Sequence, residues 1–510
     1  MTARLDMLMT GLPVSLRGNP GTIVRGLALD SRQAEPGFLF IALEGTSDDG
    51  HRYVDDAVRR GASAVLVSRD VPVSDPVAVV VTPDTRAILP IVAARFFSEP
   101  SKRLTLVGIT GTNGKTTVSY LLEQVLAHAG RVPGVIGTVS YRFGEVVRAA
   151  RNTTPDVVTF QSLLADMVAQ GVDTVVAEVS SHALDQGRVT GLHFDAALFT
   201  NLSRDHLDYH GSMDAYFRAK QRLFDEVLGA SAKEETLAVV NAADPHGSRL
   251  LETARARQVW GFSTRPEISA AVRVLDAQLD ARGVHARIDT PVGVIQLESA
   301  LLGPHSLENL VAAAAMAVGL GIAPDQVSAG LAACRRIPGR LEEIPNDRGL
   351  TVLVDYAHTP DALRRVLDGL RPVARGAVIT VFGCGGDRDR GKRRAMGEAA
   401  ASRSELAVLT SDNPRSEDPE TILAEVLPGV LEVAEPWTPG SALVRGRHRF
   451  LTMPDRRRAI ETAIRTARPG DIVFIAGKGH ETVQQVGDRQ LHFDDREEAL
   501  AALSSAREGA

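Results

Sequence analysis

The chain has 510 residues, more than one hydrophobic core holds, so several domains are expected. With 44% hydrophobic and 24% charged residues and a net charge of −6, it reads as an ordinary globular protein without a broad nucleic-acid surface. Only Cys334 and Cys384 occur, which excludes a disulfide framework and a cysteine zinc site, and no apolar run approaches the ~20 residues that span a bilayer.

The start has no unbroken apolar stretch and no cleavage site, so the cytoplasm is the expected compartment. From end to end, short apolar runs alternate with longer stretches of helical period. This predicts an α/β protein with mainly parallel sheets covered by helices. A first unit, residues 1–101, holds the run Phe38–Leu43 and ends near "SEPSKR" (98–103), where a helix-like stretch gives way to a strand. A second, 102–337, holds Leu104–Ile109, Thr174–Glu178, Ala196–Phe199 and Ala238–Val240, and ends at the Pro-Gly break of "RRIPGR" (335–340). A third, 338–510, holds Thr351–Val354, Val378–Phe382, Leu406–Leu409 and Ile472–Ile475, and its tail "SSAREGA" is expected to fray. Polar and glycine-rich clusters follow these runs, where open α/β sheets bind ligands.

In "LALDSRQAEPGFLFIALEGTSDDGHRY" (27–53), Asp30-Ser31 reads by itself as a helix or turn cap. "GITGTNGKTT" (108–117) is more specific: strand, glycine loop, Lys-Thr and a helix predicted over Val118–Ala129 make a phosphate cradle. Gly111 and Gly114 let backbone N–H groups approach phosphates, Lys115 reaches the outer ones, and Thr116 can ligate Mg²⁺. The strict P-loop spacing fails, because its first glycine would fall on Ile109. Glu178 ends a strand and His206 follows the next; beside a phosphate loop the two together favour a metal. Tyr216–Phe224 reads as an amphipathic helix, which by itself makes Lys220 a surface lysine. Further on, "FGCGGDRDRGKR" (382–393), "SDNPR" (411–415) and "AGKGHE" (476–481) each follow an apolar strand. Each alone is a solvated loop; three on one sheet edge suggest a pocket. Asn-Pro makes a stiff turn, able to hold the Arg415 fork in one place for a carboxylate.

The GTNGKTT loop resembles the signature of the Mur ligases and the related folylpolyglutamate synthetases. "EVSSHALDQGRV" (178–189), "FTNLSRDHLDYHG" (199–211), "YFRAKQRLF" (216–224), "GPHSLENLVAA" (303–313), "PGRLE" (338–342) and "VDYAHTPDAL" (354–363) extend that resemblance over nearly the whole chain. It implies three domains: an N-terminal uridine-nucleotide-binding α/β domain, a central P-loop-type ATPase domain with a parallel sheet, and a C-terminal Rossmann-like domain. The implied activity, in peptidoglycan synthesis, is ATP-dependent ligation of meso-diaminopimelate to the D-glutamate γ-carboxylate of UDP-N-acetylmuramoyl-L-alanyl-D-glutamate. Alternatives are a lysine-adding Mur ligase, a folylpolyglutamate synthetase-like ligase, or a non-catalytic ATP-binding regulator.

The resemblance also implies roles for single residues. Gly111, Thr112, Asn113, Gly114, Lys115, Thr116 and Thr117 would bind ATP, with His305, Asn309, Arg340, Asp355 and His358 contacting it from the hinge and the third unit. Thr116, Glu178 and His206 would hold Mg²⁺, joined by Lys220 as a carbamate, and Lys115, Lys220, Glu178 and His206 would be catalytic. Leu29, Ser31, Thr46, Ser47 and Asp48 would meet the uridine diphosphate. Asn152, Thr153, Thr154, Ser180, Gln186 and Arg188 would hold the sugar–peptide part. Arg388, Asp412, Asn413, Pro414, Arg415, Gly477 and Glu481 would take the incoming amino acid. A monomer is expected, without nucleic-acid or membrane partners.

Overall fold

The structure is a computed structural model that describes residues 1–45, 48–280 and 282–508; Thr46 and Ser47 lie outside the described residues. Three large sheets follow one another along the chain. The first has five strands in the order Ser15–Arg17, Ala78–Val81, Ala64–Val67, Phe38–Ile41, Gly26–Ala28, parallel except for Ser15–Arg17.

The second sheet has eleven strands, and its middle is parallel: Pro133–Ile136, Thr174–Glu178, Thr105–Thr110, Ala196–Phe199, Leu237–Asn241, Gln258–Ser263 and Val272–Asp280. Leu106 and Val107 point to opposite faces, and each enters a separate apolar cluster. Strands buried on both faces read as continuous apolar runs, which is why these were visible in the sequence. Antiparallel strands extend both edges: Ser140–Phe143 with Val146–Ala149 at one, Gly283–Thr290 with Gly293–Ser299 at the other.

The third sheet has seven strands, with Thr351–Asp355, Ile472–Ala476, Val378–Phe382 and Leu406–Leu409 parallel neighbours in that order. Three of these end in the polar clusters singled out above, so those loops emerge side by side at one sheet edge. Among the described residues the terminal stretch is helical as far as Glu508. A helix spans Asp495–Glu508 and anchors itself through buried Ala499, Ala502 and Leu503.

Candidate functional site

The helix behind the phosphate loop starts at Lys115 and ends at His128, three residues earlier than predicted at its first end. Gly111 has φ +146° and Gly114 φ +89°, where other residues are strained. Side chains there would also collide: a Cβ on Gly111 would lie 1.9 Å from Thr200 Oγ1, and one on Gly114 2.3 Å from Asn309 Oδ1. Lys115 Nζ donates to the Gly111 and Thr112 carbonyls at 2.8 and 2.9 Å, folded against the loop. Burial pushes its pKa down, against the nearby charges of Glu178 and Asp205.

Glu178 is buried and fully engaged. Its carboxylate accepts from Thr116 Oγ1 at 3.0 Å, Thr138 N at 3.0 Å and Thr138 Oγ1 at 2.8 Å. Thr138 and Gly137 carried no sequence signal, yet a Cβ on Gly137 would lie 2.4 Å from Glu178 Oε1. His206 has φ +54°, and burial pushes its ring down to about 3, against the carboxylate of Asp205. A neutral imidazole, a carboxylate and a threonine hydroxyl form a donor set that fits a hard divalent cation beside phosphates.

Lys220 corrects the surface-helix expectation. It lies on the helix Met213–Arg222 but is 1% exposed, with Nζ donating to Gly111 O at 2.9 Å and 4.5 Å from the Tyr216 ring centre. Burial, then the Lys115 charge, holds its pKa well below the usual lysine range. Asp214 and Arg218 of that helix face solvent, whereas Lys220 lies on the buried face with Tyr216, Phe217 and Ala219 and meets the phosphate loop there.

Lys115, Thr116, Glu178 and His206 border a cavity of about 490 Å³ that also takes in His305, Asn309, Arg340, Asp355 and His358. Arg340 donates to Thr116 Oγ1 at 3.1 Å, so the third unit reaches the phosphate loop directly. Asp355 is buried and accepts from the backbone N–H groups of Leu341 and Ala357 at 2.7 Å each, fixing the turn next to Arg340. Asp205, missed in the sequence, is a second junction. Its carboxylate lies 3.7 Å from Lys392 Nζ and 3.8 Å from His358 Nε2, both in the third unit. Burial alone would raise it, but the nearby His358 ring and the Lys392 charge hold it well below the carboxylate range. Arg204 meets Asp389 at 3.4 Å and Arg365 meets Glu308 at 3.1 Å across the same cleft.

Thr153, Thr154, Ser180, Gln186 and Arg188 come together beside Glu178. Thr154 Oγ1 donates to Glu178 O at 2.8 Å and accepts from Ser180 N; Arg188 donates to Thr154 O and to Gln186 Oε1. Thr153 and Thr138 hydroxyls are 3.1 Å apart, and Asn152 O accepts from Tyr141 at 2.6 Å. In the first unit Ser31 is buried, Leu29 half-buried, and exposed Asp48 accepts from Tyr53 Oη at 2.8 Å. Asp30 caps the 3₁₀ turn Ser31–Gln33 through Arg32 N, the role its sequence position suggests.

At the sheet edge of the third unit, Asp412 and Asn413 are buried. Asp412 Oδ1 has no hydrogen-bond partner among the described residues. Asn413 Nδ2 donates to Glu481 at 2.8 Å, and Gly477, φ +120°, leaves room beside Asp412. Arg415 is half-buried with φ +52°, and its Nη1 donates to Gly386 O at 2.7 Å. Burial, then the neighbouring Arg388, lowers its pKa. Arg388 itself is exposed. Sequence reading missed the buried ion pair beneath this edge: Arg456 bonds Asp495 at 2.6 Å, and also Ala476 O and Ser411 O, one residue before Gly477 and before Asp412.

The described residues contain six non-glycine residues at positive φ, and three of them, His206, Asp387 and Arg415, sit in these loops. Such conformations cost free energy and persist where surrounding contacts enforce them, often at functional sites.

The family described as Mur ligase middle domain matches residues 109–317, Mur ligase, glutamate ligase domain matches 339–479, and Mur ligase family, catalytic domain matches 23–97. The chain is 46% identical over 503 residues, 98% of each chain, to the UDP-N-acetylmuramoyl-L-alanyl-D-glutamate–2,6-diaminopimelate ligase of Geobacter metallireducens. A solved structure of a ligase with the same name superposes with a TM-score of 0.68 at 32% identity, covering 99% of this chain and 100% of that one. A MurF ligase from Thermotoga maritima in complex with ADP shares the fold, with a TM-score of 0.64 at 19% identity over 96% of this chain and 99% of that one.

Proposed function

This chain belongs to the Mur ligase family, and on that premise we propose that it joins meso-2,6-diaminopimelate to UDP-N-acetylmuramoyl-L-alanyl-D-glutamate. The new amide forms at the D-glutamate γ-carboxylate, ATP is consumed to ADP and phosphate, and the product is a peptidoglycan precursor. One apposition carries the two-substrate part of this reading. Lys392, from the loop that also bears Arg388, lies 3.7 Å from Asp205, the neighbour of His206 beside the phosphate loop. On this reading the amino-acid loops would face the phosphate loop across that contact.

The chemistry follows from charge. The γ-carboxylate attacks the γ-phosphorus of ATP, the bond to the β-phosphate oxygen breaks, and ADP leaves. Anion meets anion in that step, so the site has to supply positive charge. Lys115 would exchange its loop carbonyls for the outer phosphate oxygens, and the N–H groups of 111–117 would line the phosphate chain. Thr116, Glu178 and His206 would hold Mg²⁺, which when bound neutralises charge on the phosphates. Lys220 joins them as a carbamate. Its lowered pKa favours the neutral amine, the form that adds to carbon dioxide with loss of a proton, and the resulting anionic oxygen is a hard ligand.

The acyl phosphate then meets the amine of the third amino acid, and phosphate departs. Closure of the third unit, held by Arg204–Asp389 and Arg365–Glu308, excludes water that would otherwise hydrolyse the acyl phosphate. Thr153, Thr154, Ser180, Gln186 and Arg188 would orient the sugar–peptide, and Leu29, Ser31 and Asp48 the nucleotide. Asp412, Asn413, Glu481 and Arg388 would frame the diamino acid, with Arg415 pairing its distal carboxylate. We take the chain to act as a monomer in the cytoplasm.

The test is ADP release by the purified chain with the UDP-dipeptide and single amino acids, with product mass read in parallel. Release that depends on meso-diaminopimelate and yields the tripeptide is expected. Release without an amino acid, or a product carrying another residue, contradicts the proposal.

A further inference from the structure

We propose that Lys478 is a positioning residue of the diamino-acid site, its buried ammonium tying the Asn413 turn, the Glu481 carboxylate and the hairpin 483–492 into the frame that aims Arg415. The inference rests on the function proposed above and concerns how that site is held.

Lys478 is 0% exposed, between Gly477 and Gly479. An ammonium has three donors and, out of water, needs a partner for each. Lys478 Nζ finds Val483 O at 2.6 Å, Asn413 Oδ1 at 3.3 Å and Glu481 Oε2 at 3.3 Å. Asn413 Oδ1 also accepts from Gln485 N at 3.0 Å, so the Asn413 amide is oriented with its NH₂ on Glu481. Two residues assigned to the amino acid are thereby fixed by one buried cation that has no exposed surface of its own.

The bond to Val483 reaches further. Val483 opens the hairpin Val483–Val486 with Arg489–His492, and that hairpin lies along the Asp412–Arg415 turn. Gln484 Nε2 donates to Asp412 O at 2.7 Å, Arg415 N donates to Gln485 O at 3.0 Å, and Gly487 N donates to Arg415 O at 2.7 Å. The last two bonds hold Arg415 at φ +52°, a conformation non-glycine residues otherwise avoid. Lys478 anchors the start of the hairpin and one side of the turn together. An arginine would be too wide and planar for three acceptors placed around a point charge.

The test uses the full chain with Lys478→Met, which keeps the stem and removes the charge. The expected result is a rise of about tenfold or more in KM for meso-diaminopimelate, KM for ATP within about twofold of wild type, and a weaker preference for diaminopimelate over lysine. A folded variant with wild-type KM and preference overturns the inference. Should Lys478→Met fail to fold, Gln484→Ala cuts only the hairpin bond to Asp412 O. A rise of about threefold in the same KM supports the frame, and an unchanged KM and preference overturns it. A wild-type chain that ligates another amino acid overturns the functional reading and this inference with it. A wild-type chain that ligates diaminopimelate beside an unaffected Lys478→Met overturns this inference alone.

Discussion

The proposed phosphate end and the proposed amino-acid end of the site are built on different plans. At the phosphate end one contiguous stretch, 108–117, supplies the loop, and its partners Glu178, Asp205 and Lys220 are buried and already bonded. At the amino-acid end three loops from separate strands converge, Arg388 is exposed, and Arg415 is held by a two-stranded hairpin. Holding a phosphate chain is work for backbone N–H groups and a lysine, which a short motif can encode. Telling one amino acid from another needs side chains gathered from distant positions, and a frame to keep them in register. Loss at the first end should therefore abolish turnover, and loss at the second should change which amino acid is used.

The largest effect is expected from Lys115→Ala, a loss of at least about 10³-fold in turnover with any amino acid, since charge stabilisation at the transferred phosphoryl is removed. Near-normal ADP release by a folded variant would break the contrast at its strong end. Lys220→Ala should cost roughly 10²- to 10³-fold and recover in part with short carboxylic acids, whose oxygens replace those of the carbamate. A fully active preparation whose mass spectrum shows unmodified Lys220 counts against that role. Arg415→Ala should reduce kcat/KM for diaminopimelate by about 10²-fold or more and leave KM for ATP nearly unchanged. A matching change in both constants would mean that the two ends are not separable.

The smallest effect concerns pH. Burial, then Arg365, holds His305 down to about 4, against 6.5 for the unperturbed group. Between those values the unfolded chain binds the additional proton, so the contribution to stability is complete above about pH 6.5 and is lost as pH falls toward 4. Melting temperature should therefore drop between pH 7 and pH 5, and His305→Gln should flatten part of that drop. An identical pH slope in the variant would show that this ring does not carry it.

The parallel strands and the phosphate loop were legible because both are local: continuous apolar runs, and glycines at fixed offsets from Lys115. Burial of Lys220 was not, because helical period assigns a face but not what the face meets, and its partner Gly111 is far away in sequence. The pairs Arg456–Asp495 and Lys392–Asp205 left no mark for the same reason. Each is a charge that reads as solvated until the fold brings its counterpart close. The edge hairpins were also missed, since short polar strands such as Val483–Val486 lack an apolar run. Asn-Pro at 413–414 did announce a fixed turn, but the left-handed backbone of Arg415 comes from the hairpin beyond it.

The most direct test of the account is a competition between meso-diaminopimelate and L-lysine for the wild-type chain, with UDP-dipeptide and ATP saturating. Lysine carries the distal ammonium but not the carboxylate, and would leave the Arg415 fork facing a cation. A site built to bond a polar group can reject an analogue lacking it by roughly 10⁴-fold, so a preference of at least about 10³-fold in kcat/KM is expected. Comparable use of the two amino acids would contradict the role given to Arg415 and, with it, the division of the cleft into an end that drives the reaction and an end that chooses.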